Sequence, residues 1–526
     1  MELIHWAVLL LGSLVVPLQR DAGPAGDVPA VAAPDEARAV AALRDDLDRI
    51  LRGAGLRNGD AALIVVSLDH GDTLFSHNAD APLIPASNLK LYTTASALWY
   101  LGPSFRFNTY LLATGPIRNG VLEGDLVMYG TGDPTLSPRF WTDLPAAFAD
   151  TLTALGVREI RGAVVADASY FEGSGLGAGW AAAYSNALYA APASALSISE
   201  NIALLEVRPG SSAGSPAAIR LAPGDEGIGI ENRVTTIASG RSSVRVNRSS
   251  YAGPLVVEGR ISLRSGPIRW SVPVSDPPRF AASALRAALE TRGVAVTGGV
   301  RTNPDPVNSA VSRRSLFAPA LGGGSPIRVL AIHTSPPLLD ILEVINKQSN
   351  NFLAEQVLRT VGRVARGSGS VAGGEVAVAH FSRRVAGLDS GRIHLVDGSG
   401  LSPLNRTSAR AMADVLLKVA GLPIGDTFRE TLPQTGAPGG LRRMVGTDAD
   451  GRVWAKTGTI NQVSALSGYV VTSGGERLVF SMMNNRAASA LRAKRAEDAV
   501  GIRLARFERI FSGGDRGPAS ATASVR

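Results

Sequence analysis

Apolar residues recur at helical spacing at Val40, Leu43, Leu47, Ile50 and Leu51, which predicts an amphipathic helix over residues 36–52. The continuous apolar run at 61–68 and the shorter one at 73–76 read as two strands. The polar turn at 69–72 joins them into a hairpin. Pro85 opens a helix that runs to about Leu101, with Ser87 in its first turn. From Gly102 to about Ser325 the texture changes. Short strand-like runs (125–128, 162–165, 255–263) alternate with Gly/Pro turns, and two helical stretches, 144–155 and 278–291, interrupt them.

Helical patterning returns over 337–361, broken around 348–351, and another helix follows Thr407 and Ser408, either of which can serve as its N-cap. Residues 453–459, 464–471 and 478–483 read as strands. A last helix carries Val500, Leu504, Phe507 and Phe511 on one face. Helices at both ends of the chain, each with strands beside it, indicate one domain closed by its termini. The material between 102 and 325 is inserted into it as a largely β segment with its own core or cores.

The ends add targeting and linker signals. Residues 6–18 are apolar but too short to span a bilayer, and they resemble the central region of a signal peptide, with Ala30-Val31-Ala32 as a candidate cleavage site. Residues 20–35 are rich in Ala, Pro and Gly and read as a linker. The stretch after Phe511 reads as a disordered tail. The expectation is an exported protein acting outside the cytoplasm.

Composition narrows the function classes. A 526-residue chain with 45% hydrophobic and 19% charged residues is globular and large enough for two or three domains. Its net charge of +8 comes from scattered basic residues with no dense run interleaved with aromatics. This argues against nucleic acid and leaves peripheral attraction to an anionic cell wall or membrane surface open. The absence of cysteine excludes thiolate nucleophiles and disulfides. His70, His77, His333, His380 and His394 show no metal-ligand spacing, so no metal and no cofactor are expected.

Three short motifs carry candidate chemistry. In Ser87-Asn88-Leu89-Lys90 the i, i+3 spacing puts a lysine amine on the same helical face as a serine hydroxyl. Lysine can act as the serine's base once desolvation or a neighbouring cation lowers its pKa, which arginine cannot do. Lys90 is one of five lysines, with Lys347, Lys418, Lys456 and Lys494, in a chain whose Lys+Arg total is 53. Its identity is therefore informative. In Ser349-Asn350-Asn351 a hydroxyl and an amide project from a helix break, where they can relay a proton and hold a carbonyl. Lys347 nearby reads as surface charge. In Lys456-Thr457-Gly458-Thr459, on a predicted strand, Gly458 permits close backbone approach. Thr457 and Thr459 can bind a carboxylate, with Lys456 supplying positive potential.

Each motif alone is a common accident: a solvated helix face, a polar turn, a strand with a Gly bulge. Together they form the S-x-x-K, S-x-N and K-T-G set of penicillin-interacting serine enzymes. The chain resembles the low-molecular-mass class C penicillin-binding proteins, the type-4 D-alanyl-D-alanine carboxypeptidase/endopeptidase family. The resemblance extends through residues 85–93, Gly130-Thr131-Gly132-Asp133-Pro134-Thr135-Leu136, Ala193-Ser194-Ala195-Leu196-Ser197, Asp397-Gly398-Ser399-Gly400-Leu401-Ser402 and 456–469, and it covers about 36–511. The wide separation of Ser87 from Ser349 is similar to the class C pattern.

The resemblance implies an α+β fold: a penicillin-binding transpeptidase-like, β-lactamase-like domain with an antiparallel sheet flanked by helices. That domain would be discontinuous (36–101 plus 326–511), with 102–325 as a mostly β insert of one or two extra domains, 1–35 as leader and linker, and 512–526 as tail. It also implies a serine-type D-Ala-D-Ala carboxypeptidase/endopeptidase acting on peptidoglycan stem peptides through a Ser87 acyl-enzyme. β-Lactams would be covalent inhibitors. The implied roles are catalytic for Ser87, Lys90, Ser349, Asn351 and Lys456, and substrate-binding for Thr457, Gly458 and Thr459. A β-lactamase or esterase on the same scaffold and a non-catalytic peptidoglycan-binding scaffold are the alternatives. Asp397–Ser402 is as consistent with a Gly-rich turn as with a cleft wall, and Asp133 in Gly-Asp-Pro reads as a turn cap.

Overall fold

The computed structural model describes residues 34–56, 60–309, 311, 327–388, 390–487 and 489–509. The leader-like segment, most of the linker and the tail lie outside the described residues.

Both ends of the described chain build one antiparallel sheet. Its strands lie in the order Thr73–His77, Ala61–Ser67, Arg477–Asn484, Val463–Val471, Val453–Ile460. Ala61–Ser67 is buried at every position and Val463–Val471 at nearly every one. Both sheet faces are covered by helices, which is why these strands read as unbroken apolar runs and not as alternating patterns.

One face packs Leu63, Val65 and Phe480 against Leu43 and Leu47 of the helix Pro34–Gly53 and Val500 and Leu504 of the helix Ala490–Ala505. The other packs Ile64, Val66 and Val479 under the helices Lys90–Leu101, Leu338–Lys347, Asn351–Arg366, Val371–Ala386 and Ala409–Ala420.

The predicted elements hold with local differences. Ser408, not Thr407, caps the helix Ala409–Ala420, accepting from Ala411 N at 3.1 Å. The last helix ends at Ala505, short of its predicted reach. Phe507 still enters the same core from beyond the helix end, while Arg509 is drawn to Glu36, Asp72 and Glu476. The predicted position of Phe511 lies outside the described residues.

Val371–Ala386 is a helix the apolar pattern did not disclose. Its Gly373-Gly374 pair weakens helix propensity. The glycines are there for closeness: a Cβ on Gly374 would meet Leu358 O at 2.7 Å, and one on Gly362 would meet Gly374 N at 2.5 Å.

Between Asn108 and Thr334 the chain forms further sheets around a separate core. The strands Leu126–Gly130, Val164–Asp167 and Val300–Asn303 pair in parallel. Parallel pairing needs a long crossover, and the helices Leu144–Ala154 and Pro277–Thr291 lie in those connections. The two helical stretches are thus structural parts of this region and not interruptions of it. Strand Arg328–Thr334 pairs with Asn108–Ala113, so the insert's sheet extends past residue 325 before the chain re-enters the helical layer.

Candidate active site

The Ser87 segment enters as a 3₁₀ turn, Ala86–Leu89, and becomes α-helical only at Lys90. The predicted single helix from Pro85 is therefore two pieces. Ala86, at φ +48°, sets the turn, and its carbonyl packs against Gly400 so closely that a Cβ there would lie 1.9 Å away. The i, i+3 relation survives the change of helix type, and Lys90 Nζ lies 3.1 Å from Ser87 Oγ.

Lys90 is wholly buried, yet its amine has two fixed acceptors, Asn351 Oδ1 at 2.7 Å and Ser399 O at 2.6 Å. Burial pushes this amine down to about 7, against the opposing pull of Asp397 and Glu355. A neutral amine has two N–H groups and one lone pair. Asn351 and Ser399 take the two N–H groups, and the lone pair is left facing the Ser87 hydroxyl. The arrangement makes Lys90 a competent acceptor for the serine's proton.

The second and third motifs meet on the opposite side. Lys456 Nζ donates to Ser349 Oγ at 2.9 Å and to Thr457 O at 2.9 Å. Burial, and then the neighbouring Lys90, hold the Lys456 amine well below the usual lysine range. Ser349 occupies the break between the helices Leu338–Lys347 and Asn351–Arg366 at φ +56°. Asn350 caps the second helix, accepting from Leu353 N at 2.9 Å. Lys347 pairs with Glu343, one turn back on its own helix, at 2.8 Å.

Val453–Ile460 is the sheet's edge strand. Ala455 N donates to Pro433 O at 3.1 Å and Val453 O accepts from Thr435 N at 2.9 Å, both on the outer edge. The ladder's alternation then turns the N–H groups of Thr457 and Thr459 to that same edge, where an extended peptide can add. Gly458 faces the other way. A Cβ there would meet Pro85 O at 2.8 Å and Ser87 N at 3.1 Å, so the glycine admits the Ser87 turn itself against the strand.

Glu355 and its partner Arg359 escaped the motif reading. Glu355 is wholly buried, and its Oε1 accepts from Gly398 N at 2.8 Å and Ser399 N at 2.9 Å, fixing the carbonyl that receives Lys90. Burial, and then the Asp397 charge, push the Glu355 carboxyl up to about 7. Asp397 closes its turn by accepting from Gly400 N at 2.8 Å and Ser402 N at 2.6 Å, and from Trp180 Nε1 at 2.9 Å. It thus organises the turn behind Lys90 and does not face the cleft as a reactive acid. Asp133 likewise caps its turn, accepting from Thr135 N at 2.8 Å. The Glu-x-x-x-Arg spacing of Glu355 and Arg359 on one helix was the available signal for a buried ion pair.

The insert closes one wall. Its 174–200 stretch reaches the helix Asn351–Arg366 through Tyr189 O, which accepts from Asn351 Nδ2 at 2.9 Å, and Ser194 O, which accepts from Gln356 Nε2 at 2.8 Å. Among the described residues, no group of three His, Asp or Glu side chains could hold a metal ion, and no helix is long and apolar enough to cross a membrane.

Fold and site together define a serine hydrolase of the penicillin-binding, β-lactamase-like fold: an α+β domain with extra inserted structure. The chain belongs to the D-Ala-D-Ala carboxypeptidase 3 (S13) family, whose model matches residues 43–507, and it is a serine-type D-Ala-D-Ala carboxypeptidase. It is 34% identical over 496 residues to the D-alanyl-D-alanine carboxypeptidase of Actinomadura sp. (strain R39), spanning 92% of this chain and 88% of that one. It is 26% identical to D-alanyl-D-alanine carboxypeptidase DacB of Haemophilus influenzae, spanning 81% and 85% of the two chains. In fold it is similar to the crystal structure of penicillin-binding protein 4 from Haemophilus influenzae, with a TM-score of 0.69 at 24% identity over 87% of this chain and 98% of that one. The same protein complexed with a β-lactam gives 0.65 at 23% identity, over 88% and 99% of the two chains.

Proposed function

We propose that the chain trims peptidoglycan stem peptides through an acyl-enzyme on Ser87, with Lys90 as its base. The observation that carries this reading is the buried Lys90 amine, 3.1 Å from Ser87 Oγ with its two N–H groups engaged elsewhere. Ser87 attacks the carbonyl of the penultimate D-alanine as its proton passes to Lys90. The peptide lies along the outer edge of Val453–Ile460, and the N–H groups of Ser87 and Thr459 hold the oxyanion. Thr457 and Thr459 bind the terminal carboxylate beside Lys456.

The proton taken up by Lys90 passes on through the Ser349–Lys456 pair to the leaving amine, so the C–N bond breaks, D-alanine departs and Lys90 is neutral again. Asn351 Nδ2 exchanges Tyr189 O for a carbonyl on the acyl side. Water then attacks the ester carbonyl as Lys90 takes its proton, the acyl C–O bond breaks, and Lys90 returns the proton to Ser87 Oγ. A β-lactam acylates Ser87 by the same path, but its leaving amine stays tethered and blocks that water.

In this reading 36–101 and 326–511, less the strand Arg328–Thr334 that joins the insert's sheet, form the catalytic domain, and the 102–325 insert supplies one wall of its cleft. The leader-like segment at 6–18 fits export to the periplasm or another extracytoplasmic space, and the basic surface fits peripheral attraction to the cell wall or membrane. Cleavage of cross-links as an endopeptidase uses the same steps, with a longer leaving amine.

Incubation of the purified protein with a fluorescent penicillin, followed by peptide mass mapping, tests the reading. A stable adduct on Ser87 that is absent from Ser87→Ala supports it. An adduct that forms and clears rapidly with opened drug indicates a β-lactamase. No adduct on folded protein indicates a scaffold.

A further inference from the structure

The break that carries Ser349 is held in part from outside its own domain. Asn350 Nδ2 donates to Glu200 Oε2 at 2.9 Å. Glu200 also pairs with Arg139, and Arg139 donates to Gln348 Oε1. The residues immediately before and after Ser349 are therefore tied to the same ion pair, and both partners of that pair belong to the insert. Glu200 is nearly buried, at 12% side-chain exposure.

The insert's backbone is bent to make this contact. Ser199, Glu200 and Asn201 follow one another at φ +53°, +53° and +56°, in the left-handed region that non-glycine residues seldom occupy. Three such residues in a row persist only where surroundings over-determine them. Here they do: Asn201 Nδ2 donates to Pro192 O at 2.7 Å and Ser197 Oγ at 2.9 Å, and Ser199 N donates to Leu136 O at 2.7 Å. These three bonds run to the segments 130–136 and 192–197, and Gly132 N donates to Ala195 O at 2.8 Å between the two. A conformation held this firmly delivers one group outward, the Glu200 carboxylate.

We infer that Glu200, braced by Arg139, is a positioning residue for the acyl-transfer site: it fixes the left-handed Ser349 so that its hydroxyl meets Lys456 Nζ. The insert thereby acts on catalysis without touching substrate at this point. Releasing Asn350 frees the break to rotate, which moves Ser349 Oγ off Lys456 and disturbs the start of the helix that presents Asn351 to Lys90. The effect appears in the chemical step, since Ser87 and the substrate-binding edge strand are left in place.

The inference rests on the Ser87 acyl-enzyme reading, and the parent protein's adduct controls for that reading separately. The experiment measures the single-turnover rate of Ser87 acylation by fluorescent penicillin in parent, Glu200→Ala, Asn350→Ser and the double variant, with thermal melting of each. Asn350→Ser keeps a side-chain oxygen to cap the helix and removes only the amide that reaches Glu200. Each single variant is expected to acylate about tenfold more slowly, and the double variant no more slowly than either, since both break one connection. Glu200→Gln, which retains an acceptor for Asn350, should recover most of the rate lost in Glu200→Ala.

A single-variant rate within twofold of the parent overturns the inference. So does a double variant about a hundredfold slower, because the two residues would then act independently. If Glu200→Ala does not fold, Asn350→Ser decides alone: tenfold slowing supports the inference and a rate within twofold overturns it. Failure of the parent to form any Ser87 adduct strikes the acyl-enzyme reading instead.

Discussion

Lys90 Nζ lies 2.6 Å from Ser399 O, a carbonyl that Glu355 fixes by accepting the Ser399 N–H at 2.9 Å. A buried carboxyl thus reaches the Lys90 amine through a single residue, Ser399. Lys90 is poised by what surrounds its amine as much as by its distance from Ser87.

Lys90→Arg retains positive charge and helix propensity but cannot yield a lone pair near neutrality. Acylation by penicillin and release of D-alanine from a D-Ala-D-Ala peptide should both fall by about 10²–10⁴-fold, the range general-base catalysis supplies. Stopped-flow acylation and an assay for free D-alanine check this. Retained activity would remove Lys90 from the base role.

The rate of acylation should rise with pH through a limb near 7, where burial places the Lys90 amine. The sign follows from the role: the protonated ammonium below that pH has no lone pair for Ser87. Asp397 and Glu355 oppose the burial effect, so Glu355→Gln, which removes one of these charges, should move the limb to lower pH. A pH profile of second-order acylation for both proteins reads the shift, and a limb moved upward would contradict the electrostatic account.

Arg359 and Glu355 form a buried pair at 3.3 Å. Arg359→Met strands the carboxyl and should destabilise the fold by about 3–5 kcal/mol at pH 8, the cost of breaking a buried pair on one side. The loss should shrink below pH 7, where Glu355, pushed up to about 7 in the intact protein, takes up a proton. Urea unfolding at the two pH values measures the difference. Equal losses would show that the stranded charge is not the cause.

Gly400→Ala places a methyl group 1.9 Å from Ala86 O at a residue with φ +80°. Overpacking and left-handed strain together should cost about 1–3 kcal/mol, and the displaced turn should slow acylation of Ser87. Thermal melting and acylation kinetics on the same preparation test both. A variant with unchanged rate would show that the 397–402 turn does not set the nucleophile's position.

The chain's own pattern determines a great deal here. Helical and strand periodicities placed most elements of the catalytic sheet and its helices, because burial on one helix face or both strand faces leaves a direct trace in the residues. The S-x-x-K relation was legible because i, i+3 geometry is local, and it survived a change from α to 3₁₀ winding. The helix Val371–Ala386 was not legible, since the glycines that let it approach its neighbour look locally like helix breakers.

What only the tertiary structure decided is the environment of each reactive group. Ser399 lies 309 residues from Lys90 in sequence, and Glu200 lies 150 residues from Asn350. Desolvation, buried charges and backbone carbonyls act through space, and no periodicity records which distant segment will supply them. The motifs named the side chains that the fold gathers around Ser87. The packing of the insert and of the Asp397 turn around them set the proton affinity of Lys90 and the orientation of Asn351.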